Sequence, residues 1–216
     1  RGQGTAMAAP PGGPAVPAPP PQQEDASDVL RGGSRFGTED DTYELGEELG
    51  SGAAARVYVC TEVRTGEKLA AKVINLQRLR LMGDFEAQML KLNREVQILR
   101  ELHHPRIVNL HFVHRTKNWV FLVMELVRGG ELFDQIVRNR TLQEMEAKYI
   151  FRQLLDGVGY MHSRHVIHRD LKPENILIVS SRPAPPPHAG QLHDVKIADF
   201  GLSKVINEGN SMAKTF

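Results

Sequence analysis

The chain has 216 residues, 41% of them hydrophobic and 25% charged, with a formal net charge of +1. That is the balance of a globular domain with a real core, and it argues against a generally basic surface, so no nucleic-acid partner is expected. The single cysteine, Cys60, excludes an intrachain disulfide and suits a reducing, intracellular setting, cytoplasmic or nuclear; no apolar run approaches the roughly 20 residues that span a bilayer, so no membrane partner is expected.

From Arg1 to about Gln22 the composition is Pro, Ala and Gly, without hydrophobic periodicity. Such a stretch cannot bury enough apolar surface to offset its ordering entropy, so residues 1–42 are expected to form a disordered leader and a polar, acidic linker. Ordered structure is expected to begin near Tyr43, with β-type runs at Tyr43–Leu49, Arg56–Glu62 and Lys68–Ile74. The last two are joined by a hairpin turn, Arg64-Thr65-Gly66-Glu67. Between the first two lies Gly50-Ser51-Gly52-Ala53-Ala54-Ala55-Arg56-Val57. Glycines let backbone amides come close to phosphate oxygens, although a plain hairpin turn would use the same residues. Ala55 stands where a G-x-G-x-x-G pattern has its third glycine, and the absence of a following helix disfavours a dinucleotide-binding turn. Lys72 lies inside the apolar run Leu69–Ile74. An ammonium there either points to water from an edge strand or meets a carboxylate.

Phe85, Met89, Leu92, Val96 and Leu99 form one apolar stripe, which predicts a helix from Asp84 to Leu102, with Glu95 beside the stripe. His103-His104-Pro105 ends it, because proline disfavours helix in the residue before it. Strand-like runs follow at Ile107–Val113 and Trp119–Leu126, then a Gly129-Gly130 break and a short helix at Glu131–Arg138. Thr141, with Glu144 as capping-box partner, opens a long helix with Ala147, Ile150, Phe151, Leu154, Val158 and Met161 on its buried face. After it come Val166–Ile167, a polar loop, Ile176–Val179, a Pro/His-rich insert near Ser180–His193, and Val195–Ala198. Strands first and helices later indicate an α+β fold with two lobes. His162, His165 and His168 recur at steps of three, but they fit no common zinc pattern and lack cysteine partners.

The polar loop reads His168-Arg169-Asp170-Leu171-Lys172-Pro173-Glu174-Asn175, and Asp199-Phe200-Gly201 follows further on. With these residues the sequence resembles the eukaryotic protein kinase family, whose glycine-rich loop, strand lysine, helix glutamate, HRD…N loop and DFG occur here in that order. The resemblance runs from Tyr43 to Phe216. It implies a β-rich small lobe over 43–126 and a partial helical large lobe over 127–216 that ends in the activation segment. It also implies an enzyme that transfers the ATP γ-phosphate to Ser/Thr hydroxyls of protein substrates. In this family a lysine at the place of Lys172 marks serine/threonine kinases.

Carried over residue by residue, the resemblance gives Asp170 the substrate hydroxyl's proton, or at least its orientation. It gives Lys172 the γ-phosphate, Lys72 the α/β-phosphates with Glu95 orienting it, and Asn175 and Asp199 two Mg²⁺ ions. Gly50, Ser51, Gly52 and Ala55 would cover the phosphates. Met124, as gatekeeper, with Glu125 and Val127 would form the adenine-binding hinge. Val57, Ala70 and Leu177 would sandwich the adenine, and Glu131 would reach the ribose or a basic substrate residue. Glu125–Asp134 and Ser211–Thr215 resemble the calmodulin-dependent group, nearest its checkpoint-kinase type, without implying Ca²⁺/calmodulin dependence. Arg169 would pair with a phosphorylated residue, Thr215 first and Ser211 second, so an activating kinase acting on Thr215 is an expected partner. The family's A-P-E motif is absent before Phe216, so this fragment alone is expected to be unstable and inactive, and the alternative reading is a catalytically inactive nucleotide-binding or regulatory module. The insert is expected to loop out of a hairpin without touching the phosphates.

Overall fold

The computed structural model describes residues 30–201 and 203–205. The chain divides into two units, Arg1–Leu30 and Arg31–Phe216, and everything below concerns the second. The leader 1–29, Ser211 and Thr215 lie outside the described residues.

Six strands form one antiparallel sheet in the order β1-β2-β3-β4-β6-β5. They are β1 (Arg35–Gly37), β2 (Thr42–Ser51), β3 (Ala55–Glu62), β4 (Lys68–Asn75), β5 (Leu110–Arg115) and β6 (Trp119–Met124). The turn between β3 and β4 places Gly66 at φ 76°, the left-handed conformation that favours glycine. The first strand is a correction, because Arg35–Gly37 falls inside the stretch expected as linker. Three residues cannot hold a strand by backbone pairing alone. Phe36 supplies the rest: it is buried, and its ring stacks 4.2 Å from Phe121 and 5.5 Å from Tyr43. Phe121 is on β6, three strands away from β2, which is β1's neighbour among the described strands, so the sheet must curl strongly for these rings to meet. Phe112 and His114 of β5 extend the cluster.

Two helices join β4 to β5: α1 (Leu76–Leu81), which the sequence reading misses, and α2 (Phe85–Glu101). Asp84 caps α2 by accepting from the Ala87 N–H at 3.0 Å, and Leu92, Val96 and Leu99 are buried as their stripe predicts. The observed β5 begins later than expected. Ile107 instead makes a parallel bridge to Ile197.

Beyond the sheet lie α3 (Leu132–Asn139), α4 (Glu144–Ser163), β7 (Val166–Ile167), a 3₁₀ turn (Pro173–Asn175), and the hairpin β8 (Ile176–Pro183) with β9 (Gln191–Ile197). β10 (Lys204–Val205) pairs with β7. No described helix is long and apolar enough to cross a membrane. The long helix departs from its expected start and from part of its expected face: Ile150 and Met161 are buried and Leu154 and Val158 pack against the core as expected, whereas Ala147 and Phe151 are exposed. Gln143, not Thr141, is the N-cap, and its N–H donates to Glu146 Oε2 at 2.7 Å in a capping box. The buried face is Glu146, Ile150, Gln153, Gly157 and Met161, whereas Phe151 stands 60% exposed.

Polar residues take that face because it meets the edge of β9, whose backbone groups need partners. The Gln153 amide provides them, donating to the His193 carbonyl at 2.9 Å and accepting from the Val195 N–H at 3.0 Å. The insert likewise does not loop out from Ser180. Ser180–Pro183 pair with Gln191–Asp194, and the Ala184 N–H donates to Gly190 O at 3.0 Å to close the remaining loop. Asp194 anchors this extension, accepting from Tyr149 Oη and Ser180 Oγ at 2.9 Å each.

A core of Ile98, Leu99, Leu102, Ile107, Met161, Val166, Ile197 and Phe200 joins α2, α4 and the strand that leads to Asp199. The two motif-bearing loops therefore hang from one packed cluster.

Candidate active site

Lys72 sits mid-strand on β4, opposite Val57 on one side and Leu122 on the other. It is interior to the sheet, so the edge-strand alternative fails. Its ammonium donates to Glu95 Oε1 at 2.7 Å and reaches Asp199 Oδ1 at 3.4 Å. Burial works to lower the Lys72 pKa, and the Glu95 and Asp199 carboxylates outweigh it, so the net shift is upward and the lysine stays charged. Glu95 is buried on α2, where a helix carboxylate needs such a partner.

The catalytic-loop segment converges on the same region. Asn175 Nδ2 donates to the Asp170 carbonyl at 2.8 Å and to Asp170 Oδ2 at 3.0 Å, while Lys172 Nζ lies 3.1 Å from that carboxylate oxygen. The hydrogen bond from Lys172, helped by that from Asn175, holds the Asp170 carboxyl below its ordinary range. His168 fixes the loop from behind. A backbone N–H can only donate, so Nδ1 accepts from Asp170 N at 3.3 Å; a carbonyl can only accept, so Nε2 carries the proton toward Ala198 O at 3.0 Å. That is a neutral tautomer, and burial correspondingly lowers the His168 pKa. Arg169 and Asp199 hold φ of 66° and 58°, left-handed values uncommon outside glycine. Such strain clusters at functional loops. Phe200, fully buried, meets His168 edge-on at 4.9 Å and anchors the Asp199 turn.

The glycine-rich loop is the turn from β2 into β3, closed by Gly52 N–H donating to Ala55 O at 2.8 Å. Neither Gly50 nor Gly52 has a positive φ. A Cβ at Gly50 would meet nothing within 4 Å, and one at Gly52 only the Ala55 carbonyl at 3.7 Å. The fold itself therefore does not require glycine at either place, which favours close approach of a ligand over a plain turn. Ser51 pairs with Arg56, and Ala55 sits opposite Ile74.

Ala70 is the register partner of Met124, so these two lie side by side at the end of the sheet. Glu125 and Val127 follow in the segment that leaves β6. Gly129 N–H donates to Ile178 O at 3.0 Å, Ile178 N–H returns to Gly130 O at 2.9 Å, and Glu131 bridges Leu177. The segment is thus clipped to β8, with Leu177 and Glu131 adjacent. Partial desolvation, with the Asp134 and Glu174 charges nearby, raises the Glu131 pKa.

Sequence reasoning misses Lys196, whose Nζ donates to Glu125 Oε2 at 2.6 Å. Its signal was the one that flagged Lys72, a lysine inside an apolar run. The expected pairing of Arg169 with Thr215 falls outside the described residues.

Asn175 offers an amide oxygen and Asp199 a carboxylate. That fits Mg²⁺, which is held through one or two carboxylates plus phosphates and water rather than by an all-protein cage.

A curled antiparallel sheet with a Lys–Glu pair, set against a helical part with an HRD…N loop and a DFG turn, defines a protein kinase domain. The family model of the protein kinase domain matches residues 43–216, and the chain belongs to that family. Among curated proteins, the SNF1-related protein kinase catalytic subunit alpha KIN12 of Arabidopsis thaliana is 42% identical over 78% of this chain and 31% of its own length. Death-associated protein kinase 2 of Mus musculus is 41% identical over 82% of this chain and 46% of its own. CBL-interacting serine/threonine-protein kinase 8 of Arabidopsis thaliana is 39% identical over 80% and 36%. The chain thus spans less than half the length of these relatives.

Proposed function

We propose that the protein is a serine/threonine kinase that transfers the γ-phosphate of ATP to hydroxyls of protein substrates. The observation that carries this is a pair of neighbouring polar trios drawn from four separate elements, Lys72 with Glu95 and Asp199, and Asp170 with Lys172 and Asn175, joined by the Ala198 N–H donating to Asn175 O at 2.9 Å. Phosphoryl transfer asks little covalent chemistry of a protein, so positioned charge is the main requirement.

In this reading Lys72, steadied by Glu95, holds the α/β-phosphates, and Lys172 neutralises charge on the γ-phosphoryl. Mg²⁺ held by Asn175 and Asp199 would add electrostatic stabilisation of the phosphate oxygens. Asp170 aims the substrate hydroxyl at phosphorus. A new P–O bond forms to that oxygen, the bond to the β-phosphate oxygen breaks, ADP leaves, and Asp170 receives the hydroxyl proton. Its depressed pKa makes it a weak base. That suits a loose transition state in which the proton leaves late and orientation matters more.

Lys172 and the relatives' names, one of which is a serine/threonine-protein kinase, support the substrate class. Two further relatives, a death-associated kinase and an SNF1-related kinase, are in keeping with the calmodulin-dependent group. The Asp134 and Glu174 charges beside Glu131 make this corner acidic, which suits a basic residue near the accepting hydroxyl. The test is transfer of the labelled γ-phosphate of ATP, with Mg²⁺, by the protein extended past Phe216 to Ser/Thr and Tyr peptide libraries. Transfer to Ser/Thr peptides is expected. Transfer to Tyr alone, or to none while ATP binds, would overturn the reading.

A further inference from the structure

We infer that Lys196 is a positioning residue that sets the adenine-binding segment in register with the strand that leads to Asp199. This rests on the kinase reading of the site. Lys196 lies on β9 between Val195 and Ile197, both fully buried, and its own side chain is only 12% exposed. Its ammonium donates to Glu125 Oε2 at 2.6 Å across 71 positions of sequence. An ammonium so placed is costly without a carboxylate, and a carboxylate so placed is costly without a cation. The two side chains therefore fix each other.

The bond closes a ring of contacts around the site. The Ile197 N–H donates to Arg106 O at 2.8 Å, and the Val108 N–H donates to Ile197 O at 3.0 Å. One residue further along the same loop, Asn109 O accepts from the Glu125 N–H at 2.9 Å. The loop between α2 and β5 thus touches β9 at one end and Glu125 at the other, and the Lys196–Glu125 pair spans the remaining side. Lys196 is also the register partner of Leu177, which places both on one face of the hairpin. Three residues after Lys196 comes Asp199. The ion pair therefore adds the shortest side-chain tie, beside the Asn109 N–H and Nδ2 that donate to the same Glu125 Oε2 at 3.4 and 3.5 Å, between Glu125, the expected adenine partner, and the strand that leads to the phosphate-end carboxylate. Loosening it lets the base-binding segment slide against the phosphate-binding groups.

The test compares the wild-type protein extended past Phe216 with its Lys196→Met, Lys196→Arg, Glu125→Gln and Met/Gln double variants. Calorimetry gives the Kd for Mg·ADP, and steady-state kinetics give kcat and separate KM values for Mg·ATP and peptide. Lys196→Met is expected to weaken Mg·ADP binding and raise the ATP KM by roughly tenfold, the scale of one lost charge-assisted hydrogen bond, with kcat and peptide KM within about twofold. Lys196→Arg keeps the cation and is expected within about threefold of wild type, and the double variant is expected to be no worse than the poorer single one. Nucleotide affinity unchanged in Lys196→Met overturns the inference. So does a parallel loss of kcat, peptide KM and melting temperature, which general loosening would produce. A wild-type chain that binds no Mg·ADP overturns the kinase reading itself, and the inference with it.

Discussion

The ammonium of Lys72 lies 2.7 Å from Glu95 and 3.4 Å from Asp199, so a strand of the sheet, a helix and the turn after β9 meet at one charge. Replacing Glu95 by Gln keeps the shape and removes the carboxylate that orients the lysine. Lys72 would then be drawn toward Asp199. We expect kcat/KM to fall by roughly 10²-fold, in line with other losses of positioned charge at an active site, while the melting temperature moves by only a few degrees. Steady-state kinetics beside thermal melts check this; equal activity would contradict it.

Phe36 offers a test of the strand that the sequence did not announce. Its ring is buried against Phe121 and Tyr43. Phe36→Ala removes that packing and leaves a cavity, so a loss of about 3 kcal/mol is expected. Urea unfolding measures it. A loss below about 0.5 kcal/mol, the range of surface substitutions, would mean that the segment does not close the sheet.

Gly129 is required by space rather than by φ. A Cβ there would collide with the Ile178 carbonyl, the same group that accepts from the Gly129 N–H. Gly129→Ala must push the segment off β8 and is expected to cost about 2–4 kcal/mol and to weaken nucleotide binding with it. Gly50→Ala is the contrast. It meets nothing in the protein. It should leave stability within about 0.5 kcal/mol while weakening Mg·ATP binding, as checked by melts and calorimetry on both variants.

The neutral tautomer of His168 has a pH signature. Burial places its folded pKa below the ordinary 6.5. Above that value neither state carries the proton. As pH falls through 6.5 the unfolded chain takes up a proton that the folded chain resists, so stability falls with pH until the folded pKa is reached. Urea midpoints at pH 7.5 and 5.5 should differ more for wild type than for His168→Tyr, which cannot titrate there. Identical slopes would contradict the assignment.

Much of this was legible because the kinase motifs are local strings and the strands alternate in ordinary ways. Lys72 and Glu95 stood out as charges where apolar neighbours make a lone charge costly. Lys196 carried the same signal, but its partner is distant in sequence and Glu125 resembles any polar residue at a strand end. The buried face of α4 was read only in part, for another reason. Glu146 and Gln153 are polar, and they are buried because β9 presents backbone groups that need partners. No apolar periodicity encodes that demand. The strand at Arg35–Gly37 depends on one aromatic residue meeting rings far along the chain, which composition cannot reveal.

The most direct test is phosphoryl transfer by the protein extended past Phe216, as wild type and as Asp170→Asn, with the Kd for Mg·ATP measured on the same preparations. The Asn side chain keeps the volume and the contact to Asn175, but it loses the carboxylate that aims the hydroxyl and takes its proton. The account predicts a fall in kcat of at least about 10²-fold with ATP affinity unchanged within about threefold. Equal turnover in the two proteins, or no transfer by wild type despite tight ATP binding, would contradict it.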